Sequence, residues 1–145
     1  MRRLPRALLA VLWPPRALWL HLRVTFWLAV AWVLYRRLPL DRFLAAWTPR
    51  RSGRRGDPPE KVIEAVERVL SGLRRLRCFA RCLLIYRLLR MQGHDLFLCI
   101  GVKPSPDHCE LLGHAWLEDA NGPCWPYGDD GSSYHVVFRH PPSGG

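Results

Sequence analysis

Residues 78–102 read CFARCLLIYRLLRMQGHDLFLCIGV, and the pattern within this stretch decides the fold. From Cys78 to Met91 apolar residues recur three and four positions apart, which predicts an amphipathic helix. Gln92-Gly93 predicts the end of that helix, because glycine readily adopts the backbone conformation that closes helices. Leu96 to Val102 is rich in β-forming residues and predicts a strand. The stretch therefore reads as a helix followed directly by a strand.

Three further strands are predicted downstream of this unit. Gly113 to Glu118 reads as the second strand, and Asn121-Gly122 is a strong signal for a hairpin turn. Cys124-Trp125 would begin the third strand, and Tyr134 to Arg139 (YHVVFR) would form the fourth. Consecutive strands joined in this way predict an antiparallel meander.

Another helix is predicted upstream, beginning at Asp57-Pro58-Pro59-Glu60. An acidic residue before prolines is typical of a helix start, and we expect the Asp57 carboxylate to cap it. Gly72 is expected to weaken or end this helix. Its apolar stripe consists of residues at helical spacing, namely Val62, Val66, Val69, Leu73 and Leu76. Two helices followed by an antiparallel sheet predict an α+β domain.

The positive charge is concentrated at one end of the chain. The protein has 145 residues and a formal net charge of +10. Residues 1–56 carry twelve Arg and one acid, a net charge of +11, whereas residues 57–145 carry ten bases and eleven acids, a net charge of −1. This distribution excludes a uniformly basic nucleic-acid-binding domain, and no nucleic-acid partner is expected.

The composition predicts four regions. Residues 1–47 form an Arg- and Trp-rich helical extension, broken at Pro14-Pro15 and at Leu38-Pro39. Residues 48–56 contain Pro, Gly, Ser and Arg but no large apolar side chain, so they read as a linker. The folded domain is expected at 57–140, and the tail 141–145 is expected to be disordered.

The N-terminal region raises the question of a membrane. Its uninterrupted apolar part, Val24 to Tyr35, is twelve residues long, whereas a spanning helix needs about 20 residues. A buried or interfacial helix is therefore favoured, and contact with a membrane surface through residues 1–47 is left open. The earlier apolar run, Ala7 to Trp13, is not followed by a small-residue cleavage site, which argues against a cleaved signal.

The cysteines indicate a reducing compartment. The chain has five cysteines, an odd number without the regular spacing of a disulfide scaffold, so reduced thiols in the cytoplasm are expected. Attachment at the periphery of the membrane remains compatible with that location. Cys78, Cys82, Cys109, His108 and His114 are residue types that could bind zinc, but no CxxC pair is present and the spacings match no structural zinc pattern. We expect neither a metal nor a cofactor.

One set of residues could carry nucleophilic chemistry. Cys78 is predicted in the first turn of a helix among arginines, and helix N-terminal amides and guanidinium groups stabilise a thiolate. Cys82, one turn further on, is expected in the core. His114 is predicted on a strand, with Trp116 and Glu118 on the same face, and could act as base and then as acid. Asp129 is the candidate that orients the imidazole, with the adjacent Asp130 as an alternative. Four other histidines are predicted in loops or at strand ends, mostly in solvent: His94, His108, His135 and His140.

Residues 78–102, followed after a short loop by GHAWLED at 113–119, resemble the transglutaminase-like cysteine peptidases of lasso-peptide maturation. The pattern of that family opens with a nucleophilic Cys and a helix of the kind L-x-R-x-L-x-x-Y-R-L-L-R-x-x-G. A strand ending in I-G-V and then H-A-W with a following acid complete it. The matching positions here are Cys78, Gly93, Ile100-Gly101-Val102, His114-Ala115-Trp116 and Glu118, along with Arg81 and residues 86–89.

The resemblance implies a fold and a function. The fold is a transglutaminase/papain-like core in which helices precede an antiparallel sheet, with the N-terminal helical extension typical of the family. The function is removal of the leader peptide from a ribosomally made lasso precursor, through Cys78, His114 and Asp129 and an acyl-enzyme. The implied partners are the precursor peptide, a separate leader-recognition protein and an ATP-dependent macrocyclase.

Two departures and two rival functions stay open. Cys82 stands where the family usually has Ser or Ala, and Pro126-Tyr127 occupy the region where its Asp is usual. One rival is a non-catalytic adaptor that binds a membrane surface or nucleic acid through the arginines of residues 1–56. The other is an acyl transferase on the same triad, in which an amine replaces water.

Overall fold

A computed structural model describes residues 15–49, 56–72, 77–107, 110–125 and 133–141. Within these ranges four helices precede four strands. The helices are α1 (Pro15–Arg37), α2 (Leu40–Trp47), α3 (Pro59–Leu70) and α4 (Arg77–Met91). The strands are β1 (Phe97–Pro104), β2 (Leu111–Asp119), β3 (Gly122–Trp125) and β4 (His135–His140). The α+β class, with helices before an antiparallel sheet and a helical N-terminal part, is confirmed.

The sheet is antiparallel but is not the simple meander that the sequence predicted. Its strand order is β3-β2-β1-β4, so β4 pairs with β1 instead of with β3. The turn between β2 and β3 is the predicted one, and Gly122 there has a positive φ of 116°. A hairpin between β3 and β4 would need only two to about five residues, whereas residues 126–134 separate them. A separation of this length does not require β3 and β4 to be neighbours, and β4 lies at the opposite edge of the sheet from β3.

Prolines set the helix boundaries. Helix α1 begins at Pro15 and ends at Arg37, and Pro39 is the N-cap of α2, as the predicted breaks required. At the start of α3 the N-cap is Pro58 and has no side-chain cap hydrogen bond, so the predicted capping role of Asp57 is wrong. Pro58 already has the extended backbone of an N-cap residue, with φ −53° and ψ 143°, and this moves the helix start beyond the reach of Asp57.

The hydrophobic core joins the N-terminal helices to the rest of the fold. Val24 of α1, together with Phe43, Leu44 and Trp47 of α2, is completely buried in one cluster with residues of α3, α4, β1 and β2. The division of the chain into a 1–47 extension, a linker and a 57–140 domain stays a prediction. The packing nevertheless indicates that α1 and α2 supply part of the core under the sheet.

A half-buried polar cluster lies where α2, α4 and β4 meet. The Thr48 hydroxyl is 2.8 Å from Nε2 of His140 and 3.1 Å from the Tyr86 hydroxyl, and it also donates to the carbonyl oxygen of Leu44. His140 is thus partly removed from solvent, as is His94, whereas His135 is exposed and His108 lies outside the described residues. Burial lowers the pKa of His140 below its ordinary value of 6.5, and the positive charge of Arg90 lowers it further.

The lowered pKa of His140 predicts that the folded chain loses stability in mild acid. Because its pKa is lower in the folded chain than in the unfolded chain, the unfolded chain binds the proton more readily. The stability that neutral His140 contributes is fully present above pH 6.5. It is lost as the pH falls through the pKa of His140 in the folded chain. Denaturant unfolding of the native chain and of His140→Asn, at pH values from 7.5 to 5, should give a steeper acid loss for the native chain. Parallel curves would contradict this prediction.

Candidate active site

The candidate nucleophile lies at the start of α4. Cys78 follows the first helical residue, and its side chain is half-buried. The first N–H groups of a helix have no partner within the helix, so such a position favours a negative group. Of the neighbouring arginines, Arg81 donates to a carboxylate oxygen of Glu67 on α3 at 2.9 Å. The positive charge of Arg81 is thus partly balanced by Glu67 in an ion pair that joins α3 to α4.

Cys82 has a structural role. Its side chain is 1% exposed, which confirms the prediction that it lies in the core, and its Sγ donates to the carbonyl oxygen of Ala115 at 3.2 Å. Burial raises the pKa of the Cys82 thiol far above its ordinary value, and the nearby Arg81 opposes only part of that effect. Cys82 is therefore a protonated donor that joins α4 to β2 and not a thiolate.

The candidate base lies on β2. His114 is half-buried and pairs with Gly101 of β1 in the sheet register. Its ring stacks on Tyr134, with centroids 5.0 Å apart and planes at 29°, and on Trp116 at 6.1 Å and 15°. Two aromatic rings thus limit the orientations that the imidazole can take. Tyr134 was not identified from the sequence, because its approach to His114 depends on the unexpected position of β4 next to β1.

The face of β2 that carries His114 is the predicted one. Ala115 and Leu117 are in the core cluster with the helices, and Trp116 is 2% exposed but outside that cluster. Alternation along the strand therefore puts His114, Trp116 and Glu118 on the opposite face from Ala115 and Leu117.

Helix α4, which carries Cys78, packs against strand β2, which carries His114. Cys82 meets the main chain of Ala115, the residue after His114. Cys78 is four residues before Cys82, slightly more than one helical turn and about 6 Å along the axis. The pairing of the Cys78 thiol with the His114 imidazole stays a prediction. Asp129 and Asp130 lie outside the described residues.

An ion-pair network supports the sheet face next to His114. The indole N–H of Trp116 donates to Glu118 at 2.9 Å, and the other carboxylate oxygen of Glu118 is 3.2 Å from Arg139 of β4. Cys99 lies on the same face, and burial, together with the nearby Glu118 carboxylate, raises the pKa of its thiol to about 12. Cys99 is therefore kept as a thiol at neutral pH.

Gly101 is needed for this arrangement. A Cβ atom at position 101 would lie 2.8 Å from the Trp116 ring and 2.9 Å from the carbonyl oxygen of His135, both closer than real Cβ contacts. The glycine of the I-G-V motif thus lets Trp116 and the backbone of β4 approach β1. This packing explains why a glycine occupies position 101.

Comparison with known proteins places the whole architecture in one family. A family model described as the transglutaminase-like superfamily matches residues 20–139, from within α1 into the last strand, β4. The comparison with curated proteins and the comparison with solved structures gave no significant match. That superfamily includes cysteine peptidases and acyl transferases. Because the matched residues make up most of the chain, this protein belongs to the transglutaminase-like superfamily.

Proposed function

We propose that the protein is a cysteine peptidase that removes the leader peptide from a ribosomally made lasso-type precursor. The observation that carries the proposal is the contact between Cys82 and Ala115, which holds the first turns of α4 against β2, the strand that carries His114. Because His114 lies on the opposite face of β2 from Ala115, its approach to the Cys78 thiol is itself part of what we propose. The half-buried position of Cys78 at a helix start and membership of a superfamily with cysteine chemistry support the same assignment. The lasso specificity rests on the resemblance of residues 78–119.

The proposed reaction has two steps. His114 takes the proton of the Cys78 thiol, and the sulfur attacks the scissile carbonyl carbon. The carbon–nitrogen bond breaks, His114 returns the proton to the leaving amine of the core peptide, and a thioester to the leader remains. Water, deprotonated by His114, then releases the leader as a carboxylic acid and restores the thiol. Asp129 holds the imidazole in orientation, and the Cys78 backbone N–H contributes to the oxyanion hole.

The proposal includes partners and a location. The precursor is the substrate, and a separate leader-recognition protein presents it to the peptidase. An ATP-dependent macrocyclase then consumes the freed amine, because ring closure needs that amine and an activated carboxylate. The reaction is proposed to take place in the cytoplasm, without a metal or a cofactor.

Mass spectrometry of the products tests the proposed reaction. The precursor is incubated with this protein and the leader-recognition protein, and we expect two peptides whose summed mass exceeds that of the precursor by one water. The same reaction with an added primary amine distinguishes the acyl transferase. A new amide on the leader in place of the free acid would assign transfer, and an unchanged precursor would contradict both reactions.

A further inference from the structure

Helix α1 is apolar on two opposite sides. Its inner side carries Leu20, Val24 and Ala31, which are 9% exposed or less and belong to the core. Its outer side leaves large apolar residues in solvent, between 47% and 63% exposed. These residues, the outer face, are Leu18, Trp19, Leu22, Phe26 and Val33. A helix that is apolar all round needs cover on both sides, and the described residues of the fold cover only the inner side.

The outer face is a continuous stripe. Positions 18, 22, 26 and 33 are separated by four, four and seven residues, so they lie above one another on the helix. With a rise of 1.5 Å per residue the stripe is about 22 Å long. The apolar surface continues through Trp32, 55% exposed, into a crevice of about 120 Å³ between α1 and α4. Single exposed apolar residues are common on soluble proteins, but a patch of this extent indicates a partner.

The charge around the outer face indicates what the partner is. Arg36 and Arg37 are exposed at the end of α1, and Arg23 is half-buried beside the stripe. Asp41 is the one acidic residue in the whole segment 1–56, against twelve Arg. A second copy of this chain would bring the same positive charge to the interface and would be repelled. A partner with an apolar interior and a negative surface satisfies both features.

We infer that the outer face docks on the surface of an anionic lipid bilayer, with α1 lying parallel to the membrane plane. The apolar stripe enters the region between headgroups and acyl chains, where aromatic rings such as Trp19 and Phe26 are favoured, and the arginines contact the anionic headgroups. By length and composition α1 could also cross a membrane. The burial of Leu20, Val24 and Ala31 in the core argues for the parallel arrangement, because a helix that spans the membrane would remove these residues from the domain.

Vesicle co-sedimentation of the full chain tests the inference. The vesicles contain one part phosphatidylglycerol to three parts phosphatidylcholine, and the test variant is Leu22→Glu with Phe26→Glu. Both side chains are more than half exposed, so the fold should be kept, which circular dichroism checks. The matched control is Leu111→Glu with Val137→Glu, which makes the same charge change at exposed apolar residues of the sheet.

We expect the native chain and the control to bind alike and the outer-face variant to bind at least about tenfold more weakly. Binding should also weaken in high salt and on pure phosphatidylcholine vesicles. Equal binding by the outer-face variant and the native chain would overturn the inference, and so would an equal loss in both variants. A dimer of the native chain that the outer-face variant abolishes would assign the face to a second copy and overturn it as well. Precursor cleavage without vesicles is read separately, because the inference does not depend on the proposed reaction.

Discussion

Cys78→Ala is expected to reduce precursor cleavage by a factor of about 10³ or more, whereas Cys82→Ala should keep most of the activity. The two thiols are one helical turn apart and differ in environment. Cys78 is half-buried at the start of α4, where the first backbone N–H groups have no partner within the helix. Cys82 is buried, its pKa is raised, and its thiol donates to the carbonyl oxygen of Ala115. One thiol can therefore attack a peptide bond, and the other supports the sheet.

The two variants are assayed with the precursor and the leader-recognition protein present. Cys82→Ala leaves a small cavity and removes one hydrogen bond, so its free energy of unfolding is measured in parallel, with Cys82→Ser as a second variant that keeps a donor. Full activity of Cys78→Ala would disprove its assignment as the nucleophile. A folded Cys82→Ala protein without activity would move the nucleophile one turn along the helix.

Trp47→Ala is expected to lower the free energy of unfolding by about 3–5 kcal/mol. Trp47 is completely buried, and its indole N–H donates to the carbonyl oxygen of Leu83 at 2.9 Å. Its ring stacks on Phe43 at 5.7 Å and meets the edge of Trp27 at 5.8 Å. The half-buried guanidinium of Arg87 lies between the Trp27 and Trp47 rings and donates to the carbonyl oxygen of Trp47. Truncation would remove this packing and leave a large cavity.

Denaturant unfolding measures the effect, and two further variants make it interpretable. Trp47→Phe keeps an aromatic ring but loses the hydrogen bond to Leu83, so an intermediate loss is expected. Trp19→Ala, at a position 63% exposed, should change the free energy of unfolding by less than about 1 kcal/mol. If Trp47→Ala were no more destabilising than Trp19→Ala, α2 would not be part of the cooperative core.

Local sequence patterns predicted the helices and strands well. Apolar spacing and Gly93 defined α4, and the alternation at 113–118 assigned the faces of β2. The pairing of β4 with β1 was not predicted, because β2 and β3 lie between these two strands in the sequence. Contacts between distant strands leave no periodic signal in the strands themselves.

The sequence predicted which elements carry the candidate site residues, but it did not predict the side chains that surround them. Residue types and spacing predicted that Cys78 lies at a helix start and His114 on a strand, since these are local features, and the structure has both there. Their catalytic roles stay a prediction. The stacking of Tyr134 on His114 follows from the β1–β4 pairing and could not be read from the sequence. The outer face of α1 was not predicted for a different reason. Both sides of this helix are apolar, so the sequence could not indicate which side the core would cover.

The central claim is that Cys78 forms a thioester with the leader. It is tested most directly with a leader peptide whose scissile carbonyl is replaced by a vinyl electrophile, which an attacking thiolate converts into a stable thioether. The protein is labelled with its recognition partner present, digested, and analysed by mass spectrometry. We predict one adduct per chain, on the peptide fragment that contains Cys78 and at that residue. An adduct on Cys82 or Cys124, or no adduct on a preparation that cleaves the precursor, would contradict the claim.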